Sequence, residues 1–534
     1  MEQFIRTETL VIELLLIASL VAIAVRRLRV PYTVALVVVG LLLPAIQPVD
    51  FELTPELVLA LLVPPLVFEA AFHLRFSELQ RNLPTIALLA IPGVILGTAI
   101  VAGLVSLLTP LALPAALIFG ALIAATDPVS VVALFRALGV PKRLAVLVEG
   151  ESLFNDGTAI VLFNMMLAVA LTGTWSLVGG IVEFVRVAAG GIALGLGLGW
   201  LVSRVIARID DYLIETALTA VLAFGSYLVA ERLHFSGVLA VVAAGLMCGN
   251  LGPQGMSPTT RIVLFNFWEF VAFLANSLVF LLIGLQIDIP HMISAWQSVL
   301  AAILAVLVAR AIVTYGLGWL VNRFIEPVPR RWLHVLNWGG LRGAISLALA
   351  LSLPAAMGVD RQLIQLMGFG VVLFTLLVQG TTMKPLTRRL GISERNPVQT
   401  EYEMRHARLM TYRAAAIHLD KMHRDGFLSE HAWEVLRPEL LGQTQNLARA
   451  VLELLRTSPA LAQDELGRAR RELVRAQRST LRGLQRDGVI SEEVYEALVA
   501  EIDAATAGRS EEAGDIGAGE SSGDEPNADQ EATW

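Results

Sequence analysis

Apolar residues run through most of this chain in long blocks separated by short polar breaks, and the pattern then stops near residue 389. About 20 apolar residues in helical conformation cross the hydrocarbon of a bilayer. By that measure the blocks at 8–25, 31–46, 56–74, 84–108, 112–135, 142–171, 176–203, 212–230, 235–249, 262–287, 292–322, 332–356 and 361–383 predict thirteen membrane helices. The second and ninth are short, and the fifth and twelfth carry helix breakers and polar groups inside. Beyond residue 389 the composition turns to Arg, Glu, Gln and Asp in helix-prone order. The expected architecture is an all-α polytopic membrane protein. A transmembrane domain spans 1–389, a helical cytoplasmic tail 390–507, and a disordered acidic C-terminus 508–534.

Charge adds an orientation. Basic residues cluster at 26–29, 75–81, 136–143, 204–208, 261, 323–331 and 384–389, whereas the alternate loops hold only Arg6, Arg232 and Arg361. The positive-inside rule places the tail in the cytoplasm and the N-terminus outside, in a cell (inner) membrane. The first block lacks a basic leader and a cleavage site, so it is expected to be a retained helix. The net charge of −7 reflects acids crowded into 508–534 rather than an acidic surface throughout.

Composition excludes several classes. With 55% hydrophobic and 16% charged residues, the chain is too apolar for an ordinary soluble protein. A single cysteine, Cys248, forbids an intramolecular disulfide. No basic groove interleaved with aromatics suggests nucleic acid. No phosphate-cradling loop, HExxH motif or Ser/His/Asp set within the spans suggests an enzyme.

The tail contains an internal echo. HRDGFLSEHAWEVL (423–436) aligns with QRDGVISEEVYEAL (485–498), each with a glycine that suits a helix stop and a serine that suits the next N-cap. Two helix–turn–helix units are expected, joined by one long charged helix over 443–485. A solvated tail that aids folding or dimerisation and a regulatory domain both fit this pattern.

The densest charge in the membrane region lies in VEGESLFNDGTAIVLF, 148–163. A carboxylate at mid-bilayer costs about 2.5–3.5 kcal/mol on insertion scales. Glu151 and Asn155 are four residues apart, as are Ser152 and Asp156, so each pair shares a helix face. Together they present carboxylate, amide and hydroxyl oxygens suited to a hard monovalent cation. Glu151 also fits a purely structural role, paired with a buried arginine such as Arg310. Asp156, beside a neutral Asn155, is the stronger candidate for function. In AATDPVSVV, 124–132, Pro128 breaks the helix at the ionisable Asp127 and frees carbonyls such as that of Thr126. A plain proline kink near the membrane surface fits as well. In NWGGLRGAIS, 337–346, three glycines and Arg342 interrupt another apolar helix. The two interrupted helices are seven spans apart, as in an inverted repeat of six-helix halves around a linker helix. Arg310 is expected to pair with Glu151, and Arg342 to approach Asp127 or Glu69.

The motifs ATDPVS, EGESLFNDG, VPPLVFEAAF, FWEFVAFLANSLVFLLIGLQI and GGLRGAISLALAL, in this order, resemble the monovalent cation:proton antiporters of the NhaP/NHE type over residues 8–389. The resemblance implies a homodimer with dimerisation and core subdomains and crossed discontinuous helices 5 and 12. It implies that Asp156 binds sodium ion and proton in turn, and that Asn155 marks the electroneutral branch. Thr126, Glu151 and Ser152 match positions lining the cation site, with Asp156, Thr126 and Ser152 as sodium ligands. Arg310 matches the partner of Glu151, while Asp127 and Arg342 match charges at the ends of the broken helices. Glu69 is grouped with them as a compensating charge. The implied activity is exchange of cytoplasmic Na+ for external H+, without a cofactor. Exchange of K+ or Li+ on the same fold is the alternative, and a cation channel a weaker one.

Overall fold

The structure is a computed structural model that describes residues 2–28, 31–46, 57–173, 176–209, 211–256, 258–287, 289–392, 397–486 and 488–502. The expected acidic terminus at 508–534 lies outside the described residues. The described residues are helical without a strand, and they divide into two compact units, 1–394 and 395–534.

The first unit opens with α1 (Glu2–Leu28) and α2 (Tyr32–Ile46), then α3 (Val63–His73), which is entered through a π-helical turn at Leu57–Leu62. Helices α4 (Phe76–Ala90) and α5 (Pro92–Leu108) run on as one rod, because Pro92 suits a first helical turn. This rod begins eight residues before the expected 84–108. Its amphipathic start, FSELQRN, buries Leu79 and Asn82, and Asn82 Oδ1 accepts from Arg143 Nε at 3.0 Å. Next come α6 (Leu113–Ala124), α7 (Val129–Leu138) and α8 (Lys142–Thr172), which carries the carboxylates. Helices α9 (Leu177–Ile206), α10 (Tyr212–Arg232), α11 (Gly237–Gly255) and α12 (Pro258–Gln286) follow. A short α13 (Ile289–Ser294) leads to α14 (Trp296–Phe324), α15 (Arg330–Trp338), α16 (Ala344–Leu351), α17 (Val359–Phe374) and α18 (Thr381–Arg389). The last two are continuous through a π turn at Thr375–Gly380, so the expected 361–383 extends to Arg389.

Seven helices among the described residues are long and apolar enough to cross a membrane, and five shorter apolar helices accompany them. Hydrocarbon offers no hydrophobic drive between helices, so close backbone approach has to supply the packing. Gly195 of α9 shows how close: a Cβ there would lie 2.1 Å from the Ala240 carbonyl oxygen of α11. The α2–α12 contact uses the same device, Gly40 against Gly284. The outward faces stay apolar, as Val178, Ile181, Val182 and Val185 on α9 illustrate, because their solvent is lipid.

The second unit contains α19 (Pro397–Arg424), α20 (Glu430–Thr457) and α21 (Pro459–Arg486), with a further helix over 492–502. The expected single helix over 443–485 is overturned, since the chain breaks at Ser458. Pro459 disfavours helical backbone at the residue before it and donates no hydrogen bond. Gly426 and Gly488 both adopt positive φ, +77° and +72°. Ser429 caps α20 by accepting from Ala432 N at 3.4 Å, and Ser491 accepts from Val494 N at 3.4 Å. The α19–α20 pair is tied by Asp420, whose Oδ1 accepts from Trp433 Nε1 (2.9 Å) and Arg437 Nε (3.1 Å). The indole hydrogen bond, helped by the guanidinium, holds the Asp420 carboxyl below its usual pKa.

Candidate cation site

Two broken helices and α8 build the site. Between α6 and α7 the backbone is extended at Ala125, because Pro128 cannot donate and biases Asp127 away from helix. Between α15 and α16 the chain unwinds over 339–343. The breaks meet: Asp127 N donates to the Leu341 carbonyl at 2.8 Å, and Ser346 Oγ donates to the Ala125 carbonyl at 3.2 Å. Backbone groups freed by one interruption are therefore satisfied by the other. Asp127 Oδ1 also accepts from Val129 N at 3.0 Å, closing a local turn at the start of α7.

Asp156 faces this junction. Its Oδ1 accepts from Thr126 N at 3.2 Å, a donor left over where α6 ends. Thr126 Oγ1 donates to Ser152 Oγ at 2.9 Å and accepts from Asn155 Nδ2 at 3.3 Å. Thr126, Glu151, Ser152, Asn155 and Asp156 are all buried. The structure thus brings Thr126, Ser152, Asn155 and Asp156 into one hydrogen-bonded group.

Asp156, Thr126, Asp127 and Glu149 line a cavity of about 80 Å³, together with Asn276 of α12 and Ser346 of α16. Glu149 and Asn276 also line a neighbouring cavity of about 620 Å³ whose walls include Glu69, His73, Arg136, Glu269 and Lys384. Carboxylates outnumber bases along this combined route. Glu149 lies 3.8 Å from Arg136, and Glu69 lies 3.2 Å from His73. Glu69 therefore belongs to the wide outer cavity, away from the arginines of the core. Asn276 stands in LANSL, a polar interruption of an apolar block. It lies within one of the motifs that carry the family resemblance, but nothing in the sequence ties it to α8.

On the other side of α8, Asn155, Arg310 and Arg342 line a separate cavity of about 40 Å³, with Gly97 and Gly120 among its walls. Arg310 Nη1 pairs with Glu151 Oε1, and Arg310 Nη2 donates to the Leu336 carbonyl at 2.9 Å. Arg342 departs from expectation: among the described residues its side chain forms no ion pair with Asp127 or Glu69. Its backbone N donates to Thr375 Oγ1 at 3.1 Å, and the charges that act on its guanidinium are those of Arg310, Glu151 and Asp156. The reason is local geometry. Gly343, next in the chain, abuts Asp127, so the Arg342 side chain leaves the break on the opposite side.

The transmembrane sodium/hydrogen exchanger family matches residues 14–389. The chain belongs to that family. It is 46% identical over 368 residues to the Na(+)/H(+) antiporter ApNhaP of Aphanothece halophytica, covering 68% of this chain and 70% of that one. It is 38% identical over 501 residues to the Na(+)/H(+) antiporter NhaG of Bacillus atrophaeus, covering 91% and 94% respectively. The solved sodium proton antiporter MjNhaP1 of Methanocaldococcus jannaschii superposes with a TM-score of 0.62 over 74% of this chain and all of that one, at 21% identity. That likeness establishes the exchanger fold. As a member of the family, the protein is an integral, multi-pass membrane transporter.

Proposed function

We propose that this exchanger moves sodium out of the cytoplasm and protons in, one for one, with Asp156 as the group that carries each in turn. The observation that carries the reading is the position of Asp156. It is a buried carboxylate at the meeting point of two broken helices, lining a cavity walled by acids. The Thr126 backbone, Ser152 and Asp156 supply the oxygens for sodium. Asn155 secures Thr126, and Glu151 serves structure through Arg310. Two named antiporters among its relatives support sodium as the cation, ahead of potassium or lithium.

Asn155 supplies no second charge, so the loaded site has the same charge with sodium as with a proton. A membrane potential, worth about 2.3 kcal/mol per charge per 100 mV, then does no net work in a cycle. The two ion gradients alone set direction, as pH and salt homeostasis require.

The architecture we propose has thirteen membrane helices, with two inverted six-helix repeats joined by a linker helix. The N-terminus is outside and the tail in the cytoplasm. A core subdomain moves against a dimerisation subdomain in a homodimer, and the tail regulates or stabilises that assembly. The wide cavity at Arg136 and Lys384 is the cytoplasmic approach, so this conformation is open inward. Dye-reported proton flux in sealed vesicles given Na+, K+ or Li+ tests the reading. Saturable, sodium-driven alkalinisation that Asp156→Asn abolishes is expected. Flux surviving that substitution would exclude the site, and flux reversing with an imposed voltage would reject the one-for-one exchange.

A further inference from the structure

A cavity of about 510 Å³ lies apart from the ion route, between α14, α15 and α18. Its walls include Tyr315, His334, Asn337, Trp338, Thr382 and Arg389. Two features of this cavity point to one ligand.

The first is its apolar flank. Leu304, Val308, Ile312, Tyr315 and Trp319 are all exposed and recur at helical spacing along α14. Such a stripe lies against acyl chains. Tyr315, with Trp338 of α15, adds aromatic surface to the cavity wall beside that stripe. The rings are fixed from within: Tyr315 Oη and His334 Nδ1 are 2.7 Å apart, and Trp338 Nε1 donates to Thr382 Oγ1 at 2.8 Å.

The second is unbalanced positive charge. Arg330 and Arg331 open α15, Arg388 and Arg389 end α18, and Arg389 lines the cavity itself. Among the described residues no carboxylate comes within 4.0 Å of Arg330, Arg388 or Arg389. The acid closest in sequence to α15, Glu326, is turned instead to Arg143 at 3.2 Å and Arg81 at 3.7 Å. A guanidinium on the cavity wall is a ready partner for a phosphate diester.

We infer that this cavity binds an anionic phospholipid of the phosphatidylglycerol type. The phosphate sits at Arg389, and an acyl chain lies along the exposed stripe of α14. Basic pockets between membrane helices favour such head groups. The site includes no residue assigned to sodium or proton binding, so it stands or falls independently of the transport reading. Because α15 leads directly into the 339–343 break, a lipid seated here steadies one wall of the ion site from outside.

Native mass spectrometry of the full chain in detergent, titrated with phosphatidylglycerol or phosphatidylcholine, tests this. The wild type should retain phosphatidylglycerol in preference to phosphatidylcholine. Arg389→Gln should weaken phosphatidylglycerol about tenfold, the loss expected for one charged hydrogen-bonding partner, with phosphatidylcholine unchanged. His334→Gln, which leaves the phosphate partner in place, should weaken it less and serves as the second variant. Equal retention of the two lipids by the wild type overturns the proposal, as does unchanged phosphatidylglycerol binding in Arg389→Gln. Displacement of the lipid by an equal concentration of soluble glycerol phosphate would overturn the acyl-chain contact and hence the assignment to a lipid.

Discussion

The two cavities flanking α8 differ in charge although one peptide step separates them. Asp156 faces the acid-walled cavity with Asp127 and Glu149, whereas Asn155 faces the cavity with Arg310 and Arg342. Successive residues on a helix point about 100° apart, so neighbours in sequence can serve opposite compartments. A cation gains from entering the first compartment and is repelled by the second. On the proposed reading the carboxylate side recruits the ion, the guanidinium side gives the helix a positive back wall, and a neutral amide at 155 keeps that wall from becoming a second cation site.

The strongest way to break this comparison is Asp156→Asn. It removes the carboxylate bonded to the Thr126 amide at the junction, and sodium-driven flux in vesicles should fall to background while the protein still purifies as a folded membrane protein. Arg310→Ala attacks the other side. It strands Glu151, 3% exposed, without its partner, which should cost about 3–5 kcal/mol of stability in a thermal or denaturant melt. Replacing the pair together, Glu151→Leu with Arg310→Met, should recover most of that loss. Wild-type stability in Arg310→Ala would mean that the pair does not hold the back wall.

Two glycines sharpen the comparison further. A Cβ at Gly343 would come 2.6 Å from the Asp127 side chain, and one at Gly340 would come 2.9 Å from Arg310 Nε. Each alanine should cost about 1–3 kcal/mol through overpacking. Their transport signatures should differ: Gly343→Ala raises the sodium concentration for half-maximal flux, and Gly340→Ala lowers stability with that concentration unchanged. Identical signatures would dissolve the distinction between the two sides. The smallest effect belongs to Thr126→Val, which loses the hydroxyl bonds to Ser152 and Asn155 but keeps the backbone donor to Asp156. A loss of about 1 kcal/mol is expected, a several-fold rise in half-saturation.

Much of this arrangement was legible because the bilayer makes polarity conspicuous. Asp156 stands out in an apolar block, Pro128 announces the first break, and the glycines around Arg342 announce the second. What resisted reading was direction. Arg342 looked equally able to meet Asp127 or Glu69, and only the crowding of Gly343 against Asp127 sends it toward Arg310 and Asp156. Asn276 and Glu149 acquire meaning only when α12 and α8 converge on one cavity, a relation between segments more than a hundred residues apart. The break at Ser458 is hidden for a different reason. Similar charged sequence continues on both sides of Pro459, and that continuity masked a local backbone rule.

The join between the interrupted helices, from the Asp127 amide to the Leu341 carbonyl, is made entirely of main chain. Its donor and acceptor do not depend on the side chains at 127 and 341, and only a proline at 127 would delete the donor. Descendants of this gene can therefore revise the chemistry around the seam, and with it the guest they favour, without rebuilding the frame that carries it.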